Sequence, residues 1–372
     1  YRDFAFEYPP LALVSMAVPY VAWPAGNVGF DLYRWLFTAW QAILLVGMAI
    51  VAARLADLLA EGSAILERAS SARRAGTRLV ILVLVTAPSL TFRFDLLPAL
   101  LTALAVVAIL ERRAGWAGVL IGLGALVKLY PLVLVPVVVA IWLARGDRMG
   151  LVAFFAGLGF TVAIVLLPFS VLAGDAAWSF VTYHSARGLQ VESVAAGFIL
   201  LGAVLRGQTV PFEFEFGAVH VAGAAADRFL AVQPVLLVLG PLVVAAIGYL
   251  VARSEVAALG RVRAATVIGL ALAVVTMFIV TNKVVSVQYV VWLLPLAALL
   301  AGGPFWLAAV IGALSIIIHP AFYESLLRQE LGIILVLCLR NLLLIGLLAW
   351  VLTAVLRTGP PAVTAELRAP AG

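Results

Sequence analysis

Charge is what this chain has least of. Asp, Glu, Lys and Arg make up 11% of its 372 residues, against 65% hydrophobic, and mean hydropathy is +1.17. That balance excludes a soluble globular domain and predicts an all-α, polytopic transmembrane helical protein. Cysteine is almost as scarce. Cys338 stands alone in an apolar run, which excludes an intramolecular disulfide and leaves a metal–thiolate centre without ligands. The sequence holds no GxSxG, HExxH, Walker A or GxGxxG in a soluble βαβ setting, so the commonest hydrolase, metalloprotease and nucleotide-binding signatures are missing. Asp-x-Asp is absent too, which argues against a metal-bridged nucleotide-sugar donor. No cofactor and no metal-ligating residue set is expected, and a need for a divalent metal stays open. The net charge of +6 is spread over short inter-helix segments with no aromatic-interleaved basic face. It fits cytoplasmic loops beside anionic lipid and gives no sign of a nucleic-acid partner.

The few charges that do occur in apolar surroundings are informative. From Ala114 to Ala144 the only ionisable acid or cationic side chain is Lys128, with Arg112-Arg113 before the run and Arg145 and Arg148 after it. A single span would put basic clusters on both sides of the bilayer, against the positive-inside rule. A hairpin keeps both clusters cytoplasmic and makes Lys128-Leu129-Tyr130-Pro131 its outer turn, with Pro131 pushing Tyr130 out of helical geometry. Arms of roughly 14 residues reach about 21 Å, short of the roughly 30 Å of a full span, so that turn lies in a recess. A charge held there marks a functional site by default.

The rest of the chain follows the same charge logic. Residues 9–23 read as an interfacial or re-entrant helix broken by Pro19, and residues 31–54 as a long helix leading to the arginines at 68, 73, 74 and 78. A first short hairpin runs from 79–91 through Arg93-Phe94-Asp95 and back along 96–110. The Lys128 hairpin is the second. A span at 149–171 leads to the longest outer stretch, 172–228, where 194–205 reads as a helix lying on the outer interface and 212–216 as a short strand or loop. Helices at 229–252, 264–280, 285–301, 305–318 and 331–356 complete the chain. This gives about eleven spans in a single domain over 1–356, followed by a disordered cytoplasmic tail over 357–372. The glycines between 115 and 124 read as small-residue helix packing.

On this topology the outer turns collect Asp3, Glu7, Arg93, Asp95, Lys128, His184, Arg187, Glu192, Lys283, His319 and Glu324. Several cations and several carboxylates facing one recess suit a lipid with an anionic headgroup. Arg and Lys neutralise phosphate, and a carboxylate serves as general base toward a hydroxyl. The bland alternative is an Arg93–Asp95 ion pair tying helices together while Lys128 snorkels.

Five blocks then occur in order: Phe6-Glu7-Tyr8-Pro9-Pro10-Leu11, Arg93-Phe94-Asp95-Leu96-Leu97-Pro98-Ala99-Leu100, Lys128-Leu129-Tyr130-Pro131, Arg187 to Ser193, and Asn282-Lys283 with Ser286-x-Gln288-Tyr289. This pattern resembles glycosyltransferase family 87, integral-membrane enzymes of the GT-C superfamily that include polyprenol-phosphate-mannose-dependent mannosyltransferases. The resemblance implies an inverting hexosyltransferase in a bacterial inner membrane. It would move a sugar, mannose first, from a polyprenyl-phosphate sugar to a lipid or glycan acceptor on the extracytoplasmic face.

Such enzymes use an acidic residue of the first outer loop as base. Asp3 and Glu7 belong to the later part of that loop, Asp95 is the third carboxylate candidate, and a further helix carrying the usual base is expected upstream of Tyr1. Lys128, Arg93, Arg187 and Lys283 are the candidates for the donor phosphate. Asp95 would orient Arg93 or touch the sugar. Tyr130, His184, Gln190, Glu192, Asn282, Gln288 and Tyr289 are the candidates for substrate contact. On this reading Lys128→Ala abolishes transfer and leaves the protein folded. Three other readings stay open. One is transfer of another sugar, such as arabinofuranose or glucose, from the same carrier. A second is a lipid or glycan transporter, which ordinarily shows repeated halves. The third is a non-catalytic scaffold.

Overall fold

The computed structural model describes residues 7–23, 29–90 and 93–358. Expectations for Asp3 and for the end of the tail therefore lie outside the described residues. In chain order the helices are α1 (Ala12–Val21), α2 (Phe30–Leu59), α3 (Ile65–Leu90), α4 (Leu96–Leu110), α5 (Ala114–Val127), α6 (Val135–Arg145), α7 (Arg148–Ala173), α8 (Ser179–Ala186), α9 (Val194–Val204), α10 (Ala224–Leu259), α11 (Ala264–Thr281), α12 (Leu294–Ala297), α13 (Gly303–Ile316), α14 (Tyr323–Leu327) and α15 (Leu331–Thr358). Three short strands, β1 (Leu189–Gln190), β2 (Phe212–Glu215) and β3 (Ala218–Val221), form one antiparallel sheet in the order β1-β3-β2.

Among the described residues six helices have the length and hydropathy to cross a bilayer: Phe30–Leu59, Arg148–Ala186, Ala224–Leu259, Ala264–Thr281, Gly303–Ala321 and Leu331–Arg357. The chain is a multi-pass membrane protein. About eleven crossings are expected from sequence only when short apolar arms are counted as spans, and those helices run 10–17 residues. The 14 residues of α5 rise about 21 Å, short of the roughly 30 Å of a full span.

The chain divides into two compact units. Unit 1 comprises residues 1–132, 149–185 and 291–299. Here α4 packs along α5, α2 along α3 and α4, and α12 against α2, α3 and α4. Gly118 and Gly157 let the backbones of α5 and α7 touch. A Cβ on Gly118 would strike the Phe154 carbonyl, and one on Gly157 the Gly115 carbonyl. The glycines thus act as the small-residue surface expected of them. Ala12, Phe37, Phe94 and Val127 form a small core under α1.

Unit 2 comprises residues 133–148, 186–290 and 300–372. Within it α10 packs on α6 and α11, α11 on α15, and α13 on α15. The two arms predicted as the Lys128 hairpin therefore find different partners: α5 lies on α4, and α6 on α10.

The stretch expected at 194–205 is helical: α9 buries Ala196, Leu200 and Ala203 and packs on α15. One local expectation changes. Residues 285–301 read as one helix, whereas a 3-10 turn at Val287–Leu293 precedes the four-residue α12. The β-branched run Val284, Val285, Val287, Val290 and Val291 favours helix weakly, and Pro295 begins a new helix because its missing N–H is harmless only in a first turn.

Candidate active site

The predicted site residues fall into two polar groups, one in each unit. The first is built by the ends of α4 and α5. Helix α5 closes with Lys128 N donating to Gly124 O at 2.8 Å, after which Lys128 takes extended backbone (φ −158°, ψ 132°). The break lies at Lys128–Leu129, and Tyr130 opens a 3-10 turn, Tyr130–Leu134. Asp95 occupies the N-cap position of α4 without capping it. Its carboxylate is taken by two donors instead: Lys128 Nζ reaches Oδ1 at 2.7 Å, and Trp292 Nε1 reaches the same oxygen at 2.7 Å. The Asp95 and Lys128 side chains are 2% and 9% exposed. The second oxygen, Asp95 Oδ2, is buried and accepts no hydrogen bond among the described residues.

Aromatic rings surround this pair. The Lys128 ammonium lies 5.5, 5.3 and 5.4 Å from the ring centroids of Tyr8, Phe94 and Trp292, within cation–π range. Tyr130 stacks on Trp292 at 4.0 Å, nearly parallel at 5°, and its hydroxyl shares a 3.0 Å hydrogen bond with Thr102. Glu7 is half-buried beside Tyr8. Burial first, then the Glu7 carboxylate, pushes the Tyr8 phenol well above its ordinary range.

Among the described residues Asp95 pairs with Lys128 and Trp292 and not with Arg93, the expected partner. Arg93 is exposed, and its carbonyl accepts from Gln41 Nε2 at 3.0 Å. Lys128 is therefore half of a buried ion pair and not a snorkelling cation. His184 also belongs to unit 1, half-buried on α8 with its ring edge-on to Tyr183 at 5.9 Å.

The second group sits on the small sheet of unit 2. Gln190 N donates to Lys283 O at 2.9 Å, fastening the segment after α11 to β1. Strand β3 pairs with β1 so that His220 stands opposite Gln190, and with β2 so that it stands opposite Glu213. Gly188 leaves room for the imidazole; a Cβ there would lie 3.2 Å from His220 Cβ and 3.3 Å from Cγ. Arg187, Lys283 and His220 are close enough to feel one another. Burial and then Arg187 push the Lys283 amine down. Burial, then Arg187, then Lys283 lower the His220 imidazole to about 4.

Behind this cation cluster, α15 anchors the turn that follows β1. Arg340 Nη2 donates to Glu192 O at 2.6 Å, and Asn341 Nδ2 to Ser193 O at 3.2 Å. Ser193 caps α9 by accepting from Ala196 N at 3.2 Å, as N-cap serines do. Gln190 Nε2 donates to Glu192 Oε2 at 3.0 Å, and both side chains are buried. Asn282 Oδ1 accepts from Val284 N at 2.9 Å, Ser286 Oγ donates to Gln288 Oε1 at 2.5 Å, and Gln288 and Tyr289 are buried.

The structure thus brings Asp95, Lys128 and Tyr130 together with Glu7 nearby, and separately Arg187, Gln190, Glu192 and Lys283. Trp292, His220, Arg340 and Asn341 join these groups without having been singled out from sequence. Arg340-Asn341 did carry a signal, an ionisable residue inside the apolar run of α15. His220 and Trp292 carried none beyond residue type.

Chemically, the first group offers a carboxylate oxygen and stacked aromatic faces, which suit a hydroxylated ring. The second offers cations around a sheet edge, which suit an anion. Among the described residues no set of three or more His, Cys, Asp or Glu is arranged to hold a metal ion.

Comparison with known proteins agrees with this chemistry. The family model for Glycosyltransferase family 87 matches residues 6–277, which include both polar groups except Gln288, Tyr289, Trp292 and the residues of α15 and, just past its edge, Asn282 and Lys283. Among curated proteins none matches the chain. From the matched span and the apolar helices, the chain belongs to glycosyltransferase family 87, a GT-C type family of membrane glycosyltransferases.

Proposed function

We propose that this chain moves a sugar, mannose in the first instance, from a polyprenyl-phosphate donor to a lipid or glycan acceptor on the extracytoplasmic face of a bacterial inner membrane, with inversion at the anomeric carbon. The observation that carries this reading is the gathering of Arg187, Lys283 and His220, in which Arg187 disfavours charge on both of the others. Like charges held together in a partly buried place are relieved by an anion. A phosphate ester is the anion that a membrane glycosyltransferase without a nucleotide-binding motif needs to hold.

The reaction assigns a role to each kind of group. The acceptor hydroxyl attacks the anomeric carbon, its proton passes to a carboxylate, and the bond from that carbon to the phosphate oxygen breaks with its electron pair. Charge grows on the departing phosphate, so cations fixed there lower the barrier more than they tighten ground-state binding. Asp95, neutralised at Oδ1 by Lys128 and Trp292, suits hydrogen bonding to a sugar hydroxyl through Oδ2. The proton acceptor falls to the carboxylates near the start of the chain, of which Glu7 is the described one.

The test is direct. The protein in lipid nanodiscs is incubated with polyprenyl-phospho-mannose and a mixed lipid extract, and products are read by mass spectrometry. Consumption of donor with a new hexosylated lipid is expected. If no polyprenyl-phospho sugar is consumed with any acceptor, the reading fails.

A further inference from the structure

The described residues contain several buried polar atoms with no hydrogen-bond partner, and His220 Nε2 is one of them. His220 is 2% exposed, so the atom is hidden from water as well. A buried imidazole nitrogen ordinarily finds a partner, because leaving it without one costs the water it gave up and returns nothing. Its position is built. The central strand β3 carries it, Gly188 makes space for its ring, and Phe216 meets the ring edge-on at 6.4 Å.

We propose that His220 Nε2 is a third ligand to the anionic phosphate ester taken by Arg187 and Lys283. The inference rests on the phosphate-ester reading given above and adds a residue to it. The charged and titratable groups facing His220 are Arg187, just before β1, Lys283, on the segment bonded to β1, and Glu213, directly across on β2. Glu213 is exposed, as is Glu215 farther along the same strand. Burial first, then the two cations, lower the imidazole to about 4; neither glutamate contributes.

A bound phosphate monoanion offsets those cations. The imidazole then takes up a proton and donates Nε2–H to a phosphate oxygen. When the sugar leaves, a phosphodiester monoanion becomes a monoester of higher charge, and the same N–H follows that charge. No bond to His220 forms or breaks.

Proton uptake on binding makes affinity depend on pH. If the direct hydrogen-bonded ion pair with the phosphate outweighs the burial penalty as well as the two cations, and brings the imidazole from about 4 to its ordinary value near 6.5, affinity at pH 5.5 exceeds that at pH 8 by about tenfold. The probe is farnesyl methyl phosphate, a diester that keeps one negative charge throughout this range. Its binding to the whole protein in nanodiscs is measured calorimetrically at pH 5.5 and pH 8, for the wild type, His220→Gln and His220→Ala, alongside donor turnover.

The expected result is about tenfold tighter wild-type binding at the lower pH. His220→Gln should bind with little pH dependence, and His220→Ala more weakly. Gln keeps a hydrogen-bonding group of similar reach, so a monodisperse Gln variant separates this role from folding. Unchanged affinity and an unchanged pH profile in both variants, with wild-type turnover intact, overturn the role of His220 and leave the function standing. Wild-type protein that turns over donor but does not bind the probe overturns it as well. Absence of both binding and turnover in the wild type removes the phosphate-ester reading itself.

Discussion

Breaking the Lys128–Asp95 pair on one side only is the sharpest perturbation of this protein. The two side chains meet at 2.7 Å with 9% and 2% exposure, and Trp292 donates to the same carboxylate oxygen. Removing one partner of such a pair leaves the other charged and buried, which costs about 3–5 kcal/mol. Removing both leaves neither charge to desolvate, so the double change costs far less than the sum. Lys128→Met and Asp95→Asn are therefore each expected to lose about 3 kcal/mol or more, and the combined variant to recover most of it.

The coupling energy of the cycle should exceed about 2 kcal/mol, against the few tenths found for independent sites. Reversible unfolding in mixed micelles, followed by tryptophan fluorescence or circular dichroism, reads these differences. This outcome replaces the sequence-based expectation that Lys128→Ala leaves the fold untouched. The same three proteins also test chemistry. The double variant should be folded yet silent in sugar transfer, because Asp95 Oδ2 has become an amide group. Additive losses of stability would refute the reasoning about the buried pair. Full transfer activity in a folded double variant would refute a substrate role for Asp95.

Other outcomes follow from the same geometry. Trp292→Phe keeps the ring that stacks on Tyr130 but removes the 2.7 Å donor to Asp95; a loss of about 1.5–3 kcal/mol is expected for a hydrogen bond to a charged group, read by the same unfolding assay. Arg187→Ala and Lys283→Ala should each raise the KM for the polyprenyl-phosphate donor and lower kcat, by roughly tenfold or more if each cation supplies about 1.5 kcal/mol to the phosphate. Steady-state kinetics at varied donor concentration decide this, and unchanged constants in both variants would exclude the cluster. Gly118→Ala forces a methyl group into the Phe154 carbonyl. It should lower stability by about 1–3 kcal/mol, whereas Gly76→Ala, which meets nothing within 4 Å, should not.

Much of this architecture was legible because hydropathy and charge act along the chain. The long helices, the helix break near Lys128, the short arms and the packing role of the glycines all follow from composition, proline position and the length of a bilayer. The pairing of side chains was not legible. Asp95 has Arg93 two residues away in sequence, and that proximity favours an Arg–Asp pair. The fold instead brings Lys128 and Trp292 to the carboxylate, from 33 and 197 residues away. Nothing local distinguishes those partners. His220 was hidden for the same reason, since its place opposite Gln190 depends on a strand register that only the folded sheet defines. Arg340 could have been found, because an arginine within an apolar helix is costly enough to need a reason.

That cost separates supporting charges from working ones. Glu255 is fully buried, yet it accepts from Arg263 Nε at 2.8 Å, from Arg263 N at 2.8 Å and from Thr266 Oγ1 at 2.5 Å, which ties the end of α10 to the start of α11. Every donor there is opposite in character to the carboxylate, and the group stabilises the turn it sits in. Asp95 shares half of that logic. One oxygen is satisfied by Lys128 and Trp292, and the other is left over. In the cluster of Arg187, Lys283 and His220, Arg187 makes Lys283 harder to charge, and both make His220 harder to charge. On the reaction proposed above, in which charge grows on a departing phosphate, such a cluster is where fixed positive charge does the most for the rate.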